Sequence, residues 1–500
     1  MLHSILKPSF VWVACLILCP FLAQAQSFKL DTDIDNPPLG ILSDDWAELF
    51  INGDKVGYAH TLMERSGGII TTREETFIKV GRGPSAIATT TASTVRERID
   101  GTPLSIITVT QEAGRTKTQR IQFESNRAII STDDGIRSWT NEFDLDPGFV
   151  VSWGFVRALE KADLNPGDSI DTQVYVPDLV LGQAITATTT LIQNKSAEID
   201  GEERQLLQFG QVLQLGFLPV SLTAWVDEDG SLIEMIMPLG GMEITMIGTT
   251  KESATAQFSP PDLFTDTLIS LNRSIPENAA KVVFEVDSGT AESLSIPDTA
   301  HQTVIQKEGG VFEVEVIKTD LQVGGTSPVD PLYLKPSPLV DYDDPAIQDL
   351  VSDEELGELS FADQVRRLVE IVDSTISVKS MDFGFATASE TVALSEGDCT
   401  EHALLFAALA RSAAIPARGA MGIVYFIDDE GKPVMGYHMW NQVWNGEEWL
   451  DVDAAFRTAE PSPIRVLFGT SDLSDPNMAQ EILSFAQYLG QTDIKVLRVE

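Results

Sequence analysis

The chain has 500 residues, 43% of them hydrophobic, so roughly three ordinary cores fit and wholesale disorder is excluded. Glycine and proline are near average, which removes collagen-like and low-complexity classes. A formal charge of −41 repels phosphate backbones and anionic lipid heads, so nucleic acid and polybasic membrane contacts are excluded and cationic partners are the compatible ones.

Lys7 precedes an apolar run from Phe10 to Ala23, and Ala23-Gln24-Ala25 is an A-x-A cleavage site. Together they predict a secretory signal over residues 1–25, a mature chain starting near Gln26 and a secreted or periplasmic location. The run is too short for a bilayer core, which needs about 20 apolar residues, and no later segment approaches that length, so no integral span is expected in the mature chain. Leu18 is not the small residue that a lipoprotein reading through Cys19 requires. Loss of the leader removes Cys15, Cys19 and Lys7, leaving a charge of −42 and one cysteine, Cys399. A lone thiol in an oxidising compartment is either buried and inert or used as a nucleophile.

From Trp46 to Phe258, short apolar or alternating runs are punctuated by Asn52-Gly53, Gly67-Gly68, Asp100-Gly101, Asp134-Gly135, Asp229-Gly230 and Gly240-Gly241. This pattern predicts an antiparallel β-rich domain over 27–258, with strands at Leu232 to Met237 and Ile244 to Ile247 and one helix at Gly148 to Lys161. Ser259-Pro260-Pro261 breaks it. A small β-rich middle region follows over 262–335, its clearest strands at Lys281 to Val286 and Val311 to Ile317. Pro331, Pro336 and Pro338, then Asp341, Asp343 and Asp344, read as a stiff, charged and solvated linker. The remaining domain, 340–500, turns helical: Ser360 and Asp363 form an N-cap pattern, and Val365, Leu368, Val369, Val372 and Ile376 give an amphipathic packing helix.

Around Cys399 the sequence reads Glu396-Gly397-Asp398-Cys399-Thr400-Glu401-His402, followed by an apolar run to Ala410. Asp398 and Glu401 make a capping box that sets Cys399 as the first residue of a buried helix ending by Ile415-Pro416. The helix terminus favours thiolate there, partly opposed by the two carboxylates. A nucleophile needs a base and the base an orienting group. His60 and His301 lack matching context, and His402 shares the helix of Cys399, which makes it a supporting residue. His438 opens the strand His438 to Trp444, and Asn445-Gly446 leads into a second strand, Glu447 to Ala454. A two-residue loop sets His438 directly opposite Asp453, with Cβ atoms about 4.5–5.5 Å apart; a four-residue loop makes the pair diagonal on the same face. Asp451, opposite Trp440, is the second choice. Trp440 and Trp444 share that face and either line a cleft or pack a core. Taken singly, a buried cysteine and a strand histidine are ordinary core residues; taken together with the facing aspartate they point to catalysis.

Gly397-Asp398-Cys399-Thr400-Glu401-His402-Ala403, Ala413 to Arg418, Tyr437 to Val443 and Trp449-Leu450-Asp451-Val452-Asp453 resemble the transglutaminase-like domain family over about residues 340–470. The departures, Met439 and Ala454-Ala455, do not touch the three chemical groups. The resemblance implies a papain-like fold with Cys399 as nucleophile, His438 as base and Asp453 as orienting acid. The whole chain then reads as α+β: a C-terminal papain-like transglutaminase core preceded by antiparallel β-rich domains. Amide acyl transfer through a Cys thioester is implied, with helix-start N–H groups and a second donor from the 377–396 loop holding the oxyanion. Hydrolysis of peptide or isopeptide amides is favoured over amine transfer, on a protein or peptide substrate with basic character. The alternatives are a protein-crosslinking transglutaminase and an exported binding or assembly protein with a vestigial triad. Asp31, Asp33 and Asp35 imitate a calcium loop, but Asn36 and Leu42 replace its glycine and final acid. No HExxH, phosphate loop or GxSxG is present, so neither a cofactor nor a metal is expected.

Overall fold

The computed structural model describes residues 33–500 except 83–84, 113–114, 134, 136–137, 178–181, 200, 216–217, 228–229, 240, 262–266, 290–295, 353–355, 379–385, 429, 475–489 and 491. The expected leader lies outside the described residues. The chain divides between Leu263 and Phe264 into two compact units.

The first unit is built on fourteen strands: β1 (Gly40–Ile51), β2 (Asp54–Ser66), β3 (Ile69–Arg82), β4 (Ser85–Arg98), β5 (Pro103–Glu112), β6 (Arg115–Glu124), β7 (Arg127–Asp133), β8 (Ser138–Asp144), β9 (Ser169–Val174), β10 (Ile185–Ile199), β11 (Glu202–Leu215), β12 (Leu218–Asp227), β13 (Leu232–Leu239) and β14 (Met242–Thr249). They form one sheet in the order β8 back to β1, then β14 back to β9. The turn chemistry explains the meander. Asn52 and Gly53 both take positive φ, 50° and 86°, the geometry of a tight hairpin whose twist matches its strands. Between β8 and β9 lies α1 (Ser152–Ala162), whose N-cap residue, Val151, offers no side-chain acceptor. Glu97 of β4 does so instead, accepting the N–H groups of Trp153 and Gly154 at 2.6 and 2.8 Å. That carboxyl is fully buried, and burial pushes it up to about 8 against the pull of the two donors.

The second unit holds α2 (Pro345–Ser352), α3 (Phe361–Thr375), α4 (Ala388–Leu394) and α5 (Cys399–Ser412). Its strands are β15 (Ile269–Ser270), β16 (Lys281–Asp287), β17 (Gln302–Gln306), β18 (Val311–Ile317), β19 (Ala417–Ile427), β20 (Pro433–Trp444), β21 (Trp449–Val452), β22 (Arg465–Ser471) and β23 (Asp493–Val499). One sheet runs β15-β20-β19-β22, with β21 on β20; the other runs β17-β18-β16-β23. α5 is buried from Cys399 to Arg411, as a helix apolar all round must be, and packs on β19 and β20. The middle strands belong to this same unit, and Gln302 ties them to the larger sheet. Its amide accepts the Leu467 N–H at 2.8 Å and donates to the Leu467 carbonyl at 2.9 Å, as a neighbouring strand would.

The proline- and aspartate-rich stretch is not a free, solvated linker. Leu339 and Val340 are buried, and the buried Asp341 carboxylate accepts the Ser389 N–H at 3.1 Å and the Ser389 hydroxyl at 2.5 Å. A charge placed at the start of α4 is stabilised by free helix N–H groups, which outweighs its preference for water.

Candidate active site

The helix start that carries Cys399 is assembled from its neighbours. Asp398 is the N-cap, accepting the Thr400 N–H at 2.7 Å, while Glu401 reaches back to the Asp398 N–H at 2.9 Å. Gly397 permits this closure, because a Cβ there would stand 2.4 Å from that of Glu401. Cys399 is 2% exposed. Among the described residues its own backbone N–H has no acceptor, since the first turn of a helix leaves that group unpaired.

β20 is fixed against α5 by Asn441, whose Nδ2 donates to the Ala403 carbonyl at 3.0 Å. One residue past His438, the Met439 N–H lies near enough to the Cys399 sulfur to favour its thiolate form, so the thiol meets the strand beside the imidazole. His438 Nε2 lies 2.8 Å from Asp453 Oδ2, and both side chains are almost wholly buried. Trp440 stacks parallel to the His438 ring at 6.1 Å and Phe456 meets it edge-on at 5.0 Å. These walls fix the ring's orientation.

The hairpin register departs from expectation. Gln442 pairs with Asp451 and Asn441 with Val452, which leaves a four-residue loop at 445–448. Only Gly446 takes positive φ, and the Asn445 side chain accepts the N–H groups of Glu447 and Glu448. The cause is tertiary: residues 324–327 cross the loop, with the Gly324 and Ser327 N–H groups donating to the Asn445 and Gly446 carbonyls. Asp453 therefore reaches His438 from beyond the end of the ladder, not from directly opposite. Asp451 stands against Gln442 rather than Trp440 and accepts its amide N–H at 2.8 Å. Trp444 packs on Trp449 at 5.5 Å, six residues and about 20 Å of strand from His438. His402 is buried, with Nδ1 donating to the Asp398 carbonyl one turn back.

Sequence reasoning missed Arg465. Its Nε and Nη2 donate to Asp453 Oδ2 at 3.0 and 2.7 Å, on the same oxygen that meets His438. The second carboxylate oxygen accepts the Phe456 N–H at 3.1 Å. The available signal was a lone arginine opening the apolar run Val466-Leu467-Phe468, since a guanidinium in a buried strand requires an anion. Burial by itself raises the Asp453 carboxyl, but the His438 and Arg465 charges and hydrogen bonds overcome it and hold the group well below the usual carboxylate range. Cys399 goes the other way. Burial first, then the Asp398 charge, push its thiol far above the ordinary range, outweighing the Met439 N–H. Burial and the neighbouring carboxylates thus oppose the thiolate that the helix terminus favours. Glu401 is likewise raised by burial and by Asp398.

Residues 350–454 match the transglutaminase-like superfamily. The C-terminal part of the chain thus carries a transglutaminase-like core, and the matched span contains Cys399, His438 and Asp453 but ends before Arg465. No curated protein matches. Among solved structures, a candidate cysteine protease from Cytophaga hutchinsonii is similar at 16% identity over 45% of this chain and 90% of its own, with a TM-score of 0.28. A β-barrel-like protein of a domain of unknown function from Brucella abortus is similar at 11% identity over 42% of this chain and 97% of its own, with a TM-score of 0.34.

Proposed function

We propose that the C-terminal unit is a cysteine acyl-transfer enzyme with Cys399 as nucleophile, His438 as base and Asp453 as the group that orients the base. The observation that carries this reading is the hydrogen bond from His438 Nε2 to Asp453 Oδ2, on the strand against which the helix that starts at Cys399 packs. A carboxylate on Nε2 fixes that nitrogen as the proton-bearing one, which leaves the Nδ1 lone pair to accept a proton. The Cys399 sulfur attacks an amide carbonyl carbon while its proton passes to Nδ1. The oxyanion is held by the Cys399 N–H at the helix start. His438 then returns the proton to the leaving nitrogen, the C–N bond breaks and a thioester remains. Of the loop expected to give a second oxyanion donor, residues 379–385 lie outside the described residues.

Water resolves the thioester in this reading. Amine transfer needs a closed apolar tunnel that keeps water out, and Trp444 sits too far along the strand to wall one beside His438. The substrate class is a peptide or isopeptide amide, with basic segments favoured by the net charge of −42 that remains after leader removal. Export rests on the Lys7 to Ala25 leader. The test offers the mature protein and its Cys399→Ala variant a broad pool of glutamine-containing peptides, with and without a labelled primary amine, and reads products by mass spectrometry. Free acid and a trapped Cys399 thioester are expected from the native chain and neither from the variant. Dominant label incorporation would overturn hydrolysis, and no product from the native chain would favour a non-catalytic assembly role.

A further inference from the structure

We propose that Phe456 is a positioning residue that seals the His438–Asp453 hydrogen bond from solvent. The catalytic meaning of that bond rests on the proposed function; the packing that closes it does not. His438 and Asp453 are each 1% exposed. Two of the described rings meet the imidazole. Trp440, parallel to it at 6.1 Å, is itself 1% exposed and belongs to the interior. Phe456 meets it edge-on at 5.0 Å and is partly exposed. Solvent therefore stands one side chain away from the bond, and that side chain is Phe456.

The same ring lies 5.4 Å from the Arg465 guanidinium. It thus spans the two groups that converge on Asp453 Oδ2, while its own backbone N–H occupies Oδ1 at 3.1 Å. One residue guards both carboxylate oxygens, the first with its ring and the second with its amide. A phenyl ring suits this place, because edge-to-face and cation–ring contacts hold it there and it brings no hydrogen-bonding group to compete with the imidazole. Water would compete. It exchanges partners with any donor or acceptor it reaches, and it raises the dielectric constant around the bond from roughly 4–20 towards 80. Keeping water off keeps the imidazole on its carboxylate.

The loop that carries Phe456 is held at both ends. The Asp453 and Thr458 N–H groups donate to each other's carbonyls at 2.8 and 2.9 Å, which closes the loop 454–457 at its base. Arg457 takes a left-handed φ of 58° and its N–H donates to the Ala454 carbonyl at 3.1 Å, while its guanidinium pairs with Asp373 of α3. Phe456 sits between these two anchors. On the far side of Arg465 a small cavity is lined by His301, Gln302, Ser462 and Arg465 among others, but neither His438 nor Asp453 borders it. That cavity gives water no direct contact with the bond.

The experiment compares native protein, Phe456→Ala and Phe456→Leu, each labelled with ¹⁵N at histidine and held without substrate. It reads how fast the His438 Nε2 proton exchanges with water, by saturation transfer in NMR, with the signal assigned by its loss in His438→Gln and a thermal melt as the control for folding. Native protein is expected to show a resolved, slowly exchanging proton. Phe456→Ala should speed exchange by about tenfold or more, because the barrier to water is gone. Phe456→Leu keeps an apolar cover and should stay within about threefold of native. A native proton already averaged with water would overturn the inference even if Phe456→Ala fails to fold. Native-rate exchange in folded Phe456→Ala, or equal acceleration in both variants, would do the same. No readout uses a substrate, so a chain without acyl-transfer activity can still pass this test and an active enzyme can still fail it.

Discussion

Replacing Asp453 by asparagine removes a charge from the most densely bonded carboxylate of the site, and the structure says what should follow. The Oδ2 position receives three N–H groups and Oδ1 one. An asparagine has one acceptor oxygen. With its oxygen at the Oδ2 position, its NH₂ faces the Phe456 N–H; turned over, the NH₂ faces Arg465 and His438. The first arrangement has fewer clashes and still leaves Arg465 a buried, uncompensated cation. Breaking a buried pair in this way costs about 3–5 kcal/mol of folding stability. Loss of the tautomer-fixing anion costs about 10⁴ in kcat where such a triad operates, or roughly 5.5 kcal/mol. Asp451→Asn keeps an acceptor for Gln442 on a partly buried side chain and should stay within about 1 kcal/mol in both measures. The assay is peptide hydrolysis with urea denaturation of the same preparations. Equal losses in the two variants, or a larger loss at Asp451, would refute the assignment of Asp453 as the orienting group.

Two further expectations follow from the packing. Gly397→Ala should lower the melt of the C-terminal unit and cost about 2 kcal/mol or more in urea, because its Cβ falls 2.4 Å from Glu401 Cβ and one half of the capping box must open; an unchanged melt would contradict the closure. Glu97, raised to about 8, binds its proton in the folded state where the unfolded carboxyl has lost it. Its contribution is therefore complete below about pH 4.5 and lost as pH rises through 8, a drop on the order of 5 kcal/mol. The urea midpoint of the first unit should fall over that range in native protein and flatten in Glu97→Gln, and parallel slopes would count against the buried carboxyl.

What the sequence discloses tracks how local each interaction is. The capping box at Asp398 and Glu401 spans four residues and is legible as such, like the Ser360 cap of α3. The hairpin face carrying His438 and Asp453 follows from alternation, but the loop length does not. Asn52-Gly53 and Asn445-Gly446 are the same dipeptide with different outcomes, because only the second has residues 324–327 laid across it. In the first unit, Thr61, Glu74, Ser93, Thr108, Gln119 and Thr132 lie opposite one another across β2 to β7 and are buried. A polar row on the inner face blurs the alternation that marks strands, which is why turn residues and not hydrophobic period reveal them there. The desolvation that opposes a Cys399 thiolate was out of reach for a different reason: the helix dipole is encoded locally, whereas burial comes from the whole surrounding fold.

The boundary of the chemistry is likewise wider than the recognisable motif. The matched span stops at Ala454, one residue past Asp453, yet the carboxylate is paired by Arg465, which lies on the far side of β19 from β20, on β22. That strand is in turn clamped by Gln302, some 160 residues earlier in the chain, whose sheet is closed by β23 at the C-terminus through the pairing of β16 with β23. A guanidinium buried against a carboxylate keeps its strength only if its distance is fixed, since a loose one would draw in water and screen the pair. The strands that flank the transglutaminase-like core therefore set the position of the arginine that pairs with Asp453.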